Sequence, residues 1–141
     1  MAGIEVKQLA HVCIFARDLA ETRDFYRDVL GMEVAFNFTR DGRWFGFYLD
    51  AGGRSNVEVF LKPEAGHDAR DAVNHLCLEV ASIDAAIAHV RGRGVAVSDK
   101  ALGVDDTWQA WLADPNGVPI ELFEYTARSA QSVGGDREAD W

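Results

Sequence analysis

Two histidines and two glutamates occupy matched positions in the two halves of this 141-residue sequence. His75 follows His11 by 64 residues, and Glu121 follows Glu58 by 63 residues. A carboxylate within an apolar strand is costly to bury without a partner, and two on one surface repel each other. A divalent cation cancels both charges and also accepts neutral imidazoles as ligands. The alternative is that each residue is structural, which is the commoner role of a lone strand histidine.

The matched spacing favours the metal hypothesis over four separate structural roles. Two oxygen and two nitrogen ligands suit Zn, Ni, Co, Fe or Mn better than Cu(I) or an iron–sulfur cluster. The sequence therefore predicts one divalent metal ion bound by two histidines and two glutamates.

The four residues belong to a longer internal repeat. The segment HVCI at 11–14 aligns with HLCL at 75–78, and VEVF at 57–60 aligns with IELF at 120–123. Trp44 aligns with Trp108. Two copies are too few for a solenoid, which needs three or more repeats. The sequence therefore indicates a duplicated unit whose two copies pair.

Hydrophobic periodicity predicts the order strand, helix and three strands in each half. The first half predicts a strand at 7–15, a helix at 18–30, and strands near 33–38, 43–50 and 55–61. The second half predicts a strand at 74–80, a helix at 82–92, and strands near 95–98, 107–113 and 119–125. Asp18 and Ser82 are the expected helix N-caps, and Gly31 is the expected C-cap of the first helix.

Strand alternation assigns the candidate ligands to one face of the sheet. On the first strand, Val12 and Ile14 face one way, whereas His11, Cys13 and Phe15 face the other. The other three ligand-bearing strands alternate in the same way. Because the aliphatic face must bury against the helices, the histidines and glutamates are expected on the opposite, concave face.

Composition excludes several classes of partner. The chain has 14 Lys and Arg against 23 Asp and Glu, a formal net charge of −9, so nucleic acid and anionic membranes are not expected partners. No apolar run approaches the roughly 20 residues that cross a bilayer, and the N-terminus lacks a signal-peptide core, which favours the cytoplasm. Cys13 and Cys77 are expected to be small buried side chains. Residues 127–141 are polar and aperiodic, and predict a flexible C-terminal tail.

Two local motifs resemble those of the vicinal oxygen chelate superfamily. Residues 18–32, DLAETRDFYRDVLGM, resemble its helix motif, and residues 114–122, DPNGVPIEL, resemble its turn-and-strand motif. The resemblance covers residues 8–125. It implies an α+β fold in which tandem βαβββ modules, about 7–62 and 73–126, form a cleft-shaped mixed sheet within a domain at 1–126. It also implies one divalent metal, with ligands His11, Glu58, His75 and Glu121.

The superfamily includes glyoxalase I, methylmalonyl-CoA epimerase, extradiol dioxygenases, fosfomycin thiol transferases and bleomycin-binding proteins. The full ligand set favours a glyoxalase I-like lyase or isomerase, which acts by enediolate-type proton transfer on a small carbonyl substrate with Glu121 or Glu58 as base. An epimerase or dioxygenase with the same metal, or a non-catalytic drug-binding protein, are the alternatives. Phe15 and Lys62 replace an arginine and an asparagine of glyoxalase I, which leaves open whether glutathione is used.

Aromatic side chains near the ligands predict a small-molecule pocket. Its expected lining is Phe15, Trp44, Phe60, Trp108 and Phe123. Ordinary core or dimer packing is the alternative for each ring. The protein is expected to be a homodimer, and its cleft can form within one chain or across the dimer.

Overall fold

The computed structural model describes Leu9, residues 11–63 and residues 75–135. The chain divides into two compact units, Met1–Gly66 and His67–Trp141, and each contains a four-stranded mixed sheet. This confirms the α+β fold class of tandem βαβββ modules. The predicted module starts at 7 and 73 lie outside the described residues.

The first half has the predicted element order. Its elements are β1 (His11–Ala16), α1 (Leu19–Asp28), β2 (Val34–Arg40), β3 (Arg43–Asp50) and β4 (Asn56–Leu61). The strand order is β1-β4-β3-β2, with β1 parallel to β4 and the other pairs antiparallel.

Local sequence explains where these elements begin and end. The Asp18 carboxylate accepts a 2.9 Å hydrogen bond from the Glu21 amide, which caps α1 as predicted. The C-cap is Val29 rather than Gly31, and Gly31 follows with a φ of +70° that turns the chain away. Asp41 and Gly42 join β2 to β3 with φ values of +52° and +73°, the left-handed pair that a two-residue hairpin turn requires.

The second half repeats this order in a separate sheet. Its elements are β5 (Leu76–Glu79), α2 (Ile83–Gly92), β6 (Ala101–Leu102), β7 (Trp108–Ala113) and β8 (Pro119–Glu124). The strand order is β5-β8-β7-β6, and β5 is parallel to β8. The Ser82 hydroxyl accepts from the Ala85 amide at 3.2 Å and caps α2 as predicted.

The predicted strand near 95–98 is wrong, and the short β6 pairs with β7 instead. Ser98 does approach β7, since its amide donates to the Trp111 carbonyl at 2.9 Å. The returning bond from the Trp111 amide goes to the Ser98 hydroxyl at 2.8 Å rather than to a backbone carbonyl. The Ser98 hydroxyl thus replaces the backbone carbonyl that would accept this bond in a pair of strands.

Residues 127–135, the described part of the predicted flexible tail, include a helix and a buried side chain. A short helix, α3 (Ala130–Val133), forms there, and Ser129 is fully buried. The Ser129 hydroxyl accepts from the Thr107 hydroxyl at 2.8 Å and from the Thr126 amide at 2.8 Å. Residues 136–141 of the predicted tail lie outside the described residues.

One face of each sheet packs on the helices and carries the aliphatic core. Val57 and Val59 are buried on β4, and Ile120 and Leu122 are buried on β8. These alternate with the candidate ligands, as predicted. In the described part of the chain, no helix is long and apolar enough to span a membrane.

The expectation that both cysteines are buried is wrong. Cys13 and Cys77 are exposed free thiols. Strand alternation gives the reason, because each lies two residues after a candidate histidine and so shares its face rather than the core face.

Candidate functional site

The first half brings His11 and Glu58 together across the parallel pair β1 and β4. The His11 Nε2 lies 3.9 Å from the Glu58 Oε1. The other ring nitrogen, Nδ1, lies 2.9 Å from the Tyr48 hydroxyl. Tyr48 reaches this position because β3 pairs it directly with Glu58. A second partner of this kind fixes the orientation of an imidazole and keeps Nε2 directed at a ligand.

The second half contains the equivalent pair, held more tightly and buried more deeply. The His75 Nε2 lies 3.1 Å from the Glu121 Oε2, and Glu121 is only 6% exposed. Trp111 pairs with Glu121 between β7 and β8, and its ring contacts the His75 ring edge-on, with centroids 4.9 Å apart. The indole therefore takes the place that Tyr48 has in the first half.

Desolvation by the surrounding protein is the largest cause of the pKa shifts at Glu121, Cys13 and Cys77. It raises the pKa of Glu121, and the charge and hydrogen bond of His75 oppose that rise. Although Cys13 is exposed, desolvation of its thiol by the surrounding protein and the neighbouring Glu58 raise the pKa of that thiol to about 11. The same two causes, with Glu121 as the neighbour, raise the pKa of Cys77 to about 12. Both thiols are therefore neutral near pH 7 and are weak nucleophiles.

The pair in the second half opens into a cavity of about 630 Å³. That volume lies within the range of small-molecule sites. Its walls include His75, Glu121 and Phe123, which the sequence predicted, and Asp105, Gln109 and Trp111, which it did not assign to the pocket.

Trp44 and Trp108, both predicted to line the pocket, lie on the helix face of their sheets. The Arg23 guanidinium of α1 lies 5.3 Å from the centre of the Trp44 ring. Lys100 lies 4.6 Å from the centre of the Trp108 ring and also pairs with Asp84 of α2 at 2.9 Å. Each half thus covers its tryptophan with a cation, away from the histidine–glutamate pair.

An extra residue in β3 explains the position of Trp44. Phe38 pairs with Gly46 whereas Thr39 pairs with Trp44, so Phe45 has no partner on β2 and forms a bulge. The bulge turns Phe45 toward the ligand face, where its ring lies 5.2 Å from that of Phe60. It also accounts for the change in repeat offset from 64 at Trp44 to 63 at Glu58.

Aromatic rings cover the ligand face of the first half. The Phe38 and Phe60 ring centroids lie 4.9 Å apart, and Phe36 stacks on Tyr48 at 4.8 Å. Phe15, predicted in the pocket, is 47% exposed and carries the Lys62 ammonium 4.7 Å above its ring. Phe15 and Lys62, which stand where glyoxalase I has an arginine and an asparagine, therefore contact each other.

The distance between the two donor atoms in each half bears on metal binding. A histidine nitrogen and a carboxylate oxygen that each lie about 2.0–2.2 Å from one metal stand about 3.0–3.4 Å apart. The His75–Glu121 distance of 3.1 Å fits this range, and the His11–Glu58 distance of 3.9 Å is slightly longer. Within the described residues, no three His, Cys, Asp or Glu side chains group together as a metal site. Each half therefore supplies two donors of the chemistry that suits a divalent ion.

The pocket residues that sequence reasoning missed had a detectable signal. The 63-residue offset that aligns Glu58 with Glu121 also aligns Tyr48 with Trp111. Following that offset from β4 back into β3 would have selected Trp111 instead of Trp108. Asp105 carried no comparable signal, because it lies in a loop outside the repeat motifs.

Comparison with known proteins places these features in a wider group. A family model described as the Glyoxalase/Bleomycin resistance protein/Dioxygenase superfamily matches residues 8–122. The Escherichia coli (strain K12) protein described as "Uncharacterized protein YaeR" is 32% identical over 128 residues, covering 84% of this chain and 97% of that one. A 2-epi-5-epi-valiolone epimerase from Actinomyces sp is 29% identical over 147 residues, covering 83% and 79%.

A solved structure agrees with the fold. The glyoxalase family protein from Enterococcus faecalis superposes with a TM-score of 0.71 at 25% identity. The match covers 84% of this chain and 98% of that one.

Proposed function

The chain belongs to the Glyoxalase/Bleomycin resistance protein/Dioxygenase superfamily, and on that basis we propose that it is a divalent-metal-dependent lyase or isomerase of glyoxalase I type. The proposed reaction is proton transfer next to the carbonyl group of a small substrate. His11, Glu58, His75 and Glu121 are the proposed ligands of one Zn, Ni, Co, Fe or Mn ion.

The observation that carries this proposal is the duplicated histidine–glutamate pair. Each half holds an imidazole Nε2 near a carboxylate oxygen, at 3.9 Å in the first half and 3.1 Å in the second. Preserving the same two donors on the same pair of parallel strands in both halves supports a shared ligand role.

Glu121 is the proposed base, because it lines the cavity and is nearly buried. In this role its carboxylate takes the proton from the hydroxyl-bearing carbon next to the carbonyl and returns it to the former carbonyl carbon. The hydroxyl becomes the new carbonyl group, and its proton passes to the old carbonyl oxygen. His75 holds the carboxylate in place, and Trp111 holds His75. Phe123 excludes water from the reacting atoms. A divalent metal supplies Lewis-acid stabilisation of the negative charge that develops on the substrate oxygen.

Epimerisation is the second candidate, favoured by the 29% identical relative described as a 2-epi-5-epi-valiolone epimerase. It uses the same proton abstraction but returns the proton to the opposite face of the same carbon. The stereochemistry of the product distinguishes it from isomerisation, in which the carbonyl moves to the neighbouring carbon.

Metal content and proton exchange test the proposal together. Purified protein is expected to bind one divalent ion per site by elemental analysis, and His75→Ala is expected to lose it. His89→Ala, on the exposed surface of α2, is the matched control and should keep the metal. The metal-loaded protein should exchange the proton next to a carbonyl with D₂O, followed by NMR on a hemithioacetal or a hydroxyketone. Absence of stoichiometric metal in the unaltered chain would overturn the proposal.

We also propose a homodimer. Mixing two variants distinguishes a site formed within one chain from a site formed across the dimer. One chain carries His11→Ala and Glu58→Gln, and the other carries His75→Ala and Glu121→Gln. If each site takes one pair from each chain, refolding the two variants together restores metal binding in one of two sites. If both pairs come from the same chain, the mixture binds no metal.

A further inference from the structure

We propose that the cavity of the second half binds a neutral carbonyl compound that carries several hydroxyl groups. The loop at 103–107, together with Gln109 and Trp111, is the proposed recognition wall. The inference deepens the proposed function, since this compound is the substrate whose proton Glu121 moves.

The wall begins with a tightly closed loop between β6 and β7. The Gly103 amide donates to the Thr107 carbonyl at 2.9 Å, and the Asp106 amide donates to the Gly103 carbonyl at 3.0 Å. The Asp105 carboxylate accepts from the Thr107 amide at 3.2 Å. Asp106 adopts a φ of +59°, a conformation that aspartate tolerates better than most residues. The loop therefore fixes the position of the Asp105 carboxylate.

Gly103 brings two polar groups of the wall close together. A Cβ built on Gly103 would lie 2.8 Å from the Asp105 Oδ1 and 3.5 Å from the Gln109 Nε2. Both side chains line the cavity. A carboxylate accepts hydrogen bonds from hydroxyl groups, and a primary amide both donates and accepts them. Both groups lie near Gly103, so two hydroxyls of one small ligand can reach them.

The remaining walls define the charge and shape of the ligand. Asp105 lines the cavity, so a phosphate or carboxylate on a ligand that lies against this wall would meet a like charge. The rings of Trp111 and Phe123 offer flat apolar surfaces for the C–H faces of a ligand. A wholly apolar ligand would leave Asp105 and Gln109 desolvated without new partners, which is costly.

A buried hydroxyl network holds the wall in place. The Thr126 hydroxyl donates to the Asp106 carbonyl at 2.6 Å, and the Thr107 hydroxyl donates to that of Ser129 at 2.8 Å. The Ala130 amide donates to the Asp105 carbonyl at 2.9 Å. A wall fixed before the ligand arrives loses little conformational entropy on binding, which favours selective recognition.

Binding of four probes to the metal-loaded protein, measured by calorimetry, tests this inference. myo-2-Inosose is a cyclohexanone with five hydroxyls, and cyclohexanone is the same ring without them. D-Xylulose and D-xylulose 5-phosphate form a matched neutral and anionic pair. We expect inosose to bind at least about tenfold more tightly than cyclohexanone, and xylulose more tightly than its phosphate.

Two variants assign the effect to the wall. Gln109→Leu should weaken inosose binding by about tenfold or more and leave cyclohexanone binding unchanged. Asp105→Asn keeps an acceptor for the Thr107 amide and should reduce the discrimination against xylulose 5-phosphate. Asn37→Leu, a similar change on the helix face of the first half beside Trp44, is the control and should alter neither.

Each outcome decides the inference separately from the proposed function. If cyclohexanone or xylulose 5-phosphate binds as tightly as its hydroxylated or neutral counterpart, or if none of the probes binds, the inference is overturned. Unchanged inosose binding in Gln109→Leu and Asp105→Asn overturns it as well. Inosose binding with no proton exchange in D₂O on inosose or on a hemithioacetal leaves the binding inference intact and refutes the proposed function. Proton exchange on a hemithioacetal without inosose binding overturns the inference and leaves the proposed function intact.

Discussion

The two halves of this chain carry the same histidine–glutamate pair in different surroundings. In the first half, the His11 side chain is 42% exposed and lies 3.9 Å from a half-buried glutamate. In the second half, the distance is 3.1 Å, and Glu121 is nearly buried at the wall of a 630 Å³ cavity. The duplicated fold therefore preserves the donors, whereas the residues around them differ.

The residues paired with each glutamate show how the halves diverged. Tyr48 lies beside Glu58 and hydrogen-bonds His11, whereas Trp111 lies beside Glu121 and contacts His75 through its ring. Aromatic rings cover the ligand face of the first half, whereas a polar loop borders that of the second. Under the proposed function, we propose a division of labour in which the second half recognises the substrate and moves its proton.

The largest expected effect tests that division directly. Glu121→Gln should lower the rate of proton exchange by about 10²–10⁴-fold, the usual contribution of a general base. Glu58→Gln should lower it less, because Glu58 is expected to act as a ligand only. Exchange in D₂O is measured by NMR at saturating metal, with bound metal confirmed for each variant. An equal or larger loss in Glu58→Gln would contradict the assignment of the base.

A second test concerns one equivalent position in the two sheets. Gly46 pairs with Phe60 in the first half, and Gln109 pairs with Phe123 in the second. A Cβ on Gly46 would collide with the Val59 carbonyl oxygen and lie 2.7 Å from the Phe60 ring, and the backbone atom cannot move aside. Gly46→Ala should therefore reduce the free energy of unfolding by about 3 kcal/mol in urea denaturation.

Gln109→Ala is the matched variant in the other half. Because this strand position already accommodates a side chain, the change should shift the free energy of unfolding by no more than about 0.5 kcal/mol. Similar losses in both variants would show that the two sheets do not differ in the space available at this position.

The third test concerns the segment that anchors the pocket loop of the second half. Ser129→Ala removes a buried hydroxyl that contacts Thr107 and the Thr126 amide, and should cost about 1–3 kcal/mol of unfolding free energy. Ser132→Ala, on the exposed side of the same segment, should cost less than about 0.5 kcal/mol. Equally small losses of unfolding free energy in the two variants would support the predicted flexible tail from residue 127.

The smallest expected effect concerns the ends of β1 and β4. Lys62 lies over Phe15 in the first half, and the repeat offsets place Tyr125 and Glu79 at the equivalent positions of the second. Lys62→Met should reduce the unfolding free energy by about 0.5–1 kcal/mol, the range of an exposed cation–π contact. Lys62→Arg keeps the cation and should retain most of the stabilisation that this contact provides. Equal losses in the two variants would assign the effect to packing of the lysine stem instead.

Much of the fold followed from local sequence signals. The Asp18 and Ser82 caps are made as predicted, and the predicted strand at 43–50 is β3, Arg43–Asp50. The two-residue turn at Asp41 and Gly42 also depends on local sequence, because few residue pairs tolerate positive φ at both positions. These features depend on interactions within a few residues, which the sequence contains directly.

Errors occurred where distant residues decide the outcome. The register between β2 and β3 locates the bulge at Phe45, which moves Trp44 to the helix face. The segment at 95–98 is not a strand, because the Ser98 hydroxyl takes the bond that a ladder would use. Ser129 is ordered because Thr107, 22 residues earlier, bonds it.

The sequence by itself determined the repeat, the βαβββ order of each half and the face on which both histidines and both glutamates lie. Period-two alternation is sufficient for this, since aliphatic side chains must bury on one face and polar ones emerge on the other. Tertiary structure decided which side chains lie beside the histidines and glutamates. These are Trp111 instead of Trp108, and Asp105 from a loop outside the repeat. Those choices depend on strand register and on long-range hydrogen bonds, which form only when the chain is folded.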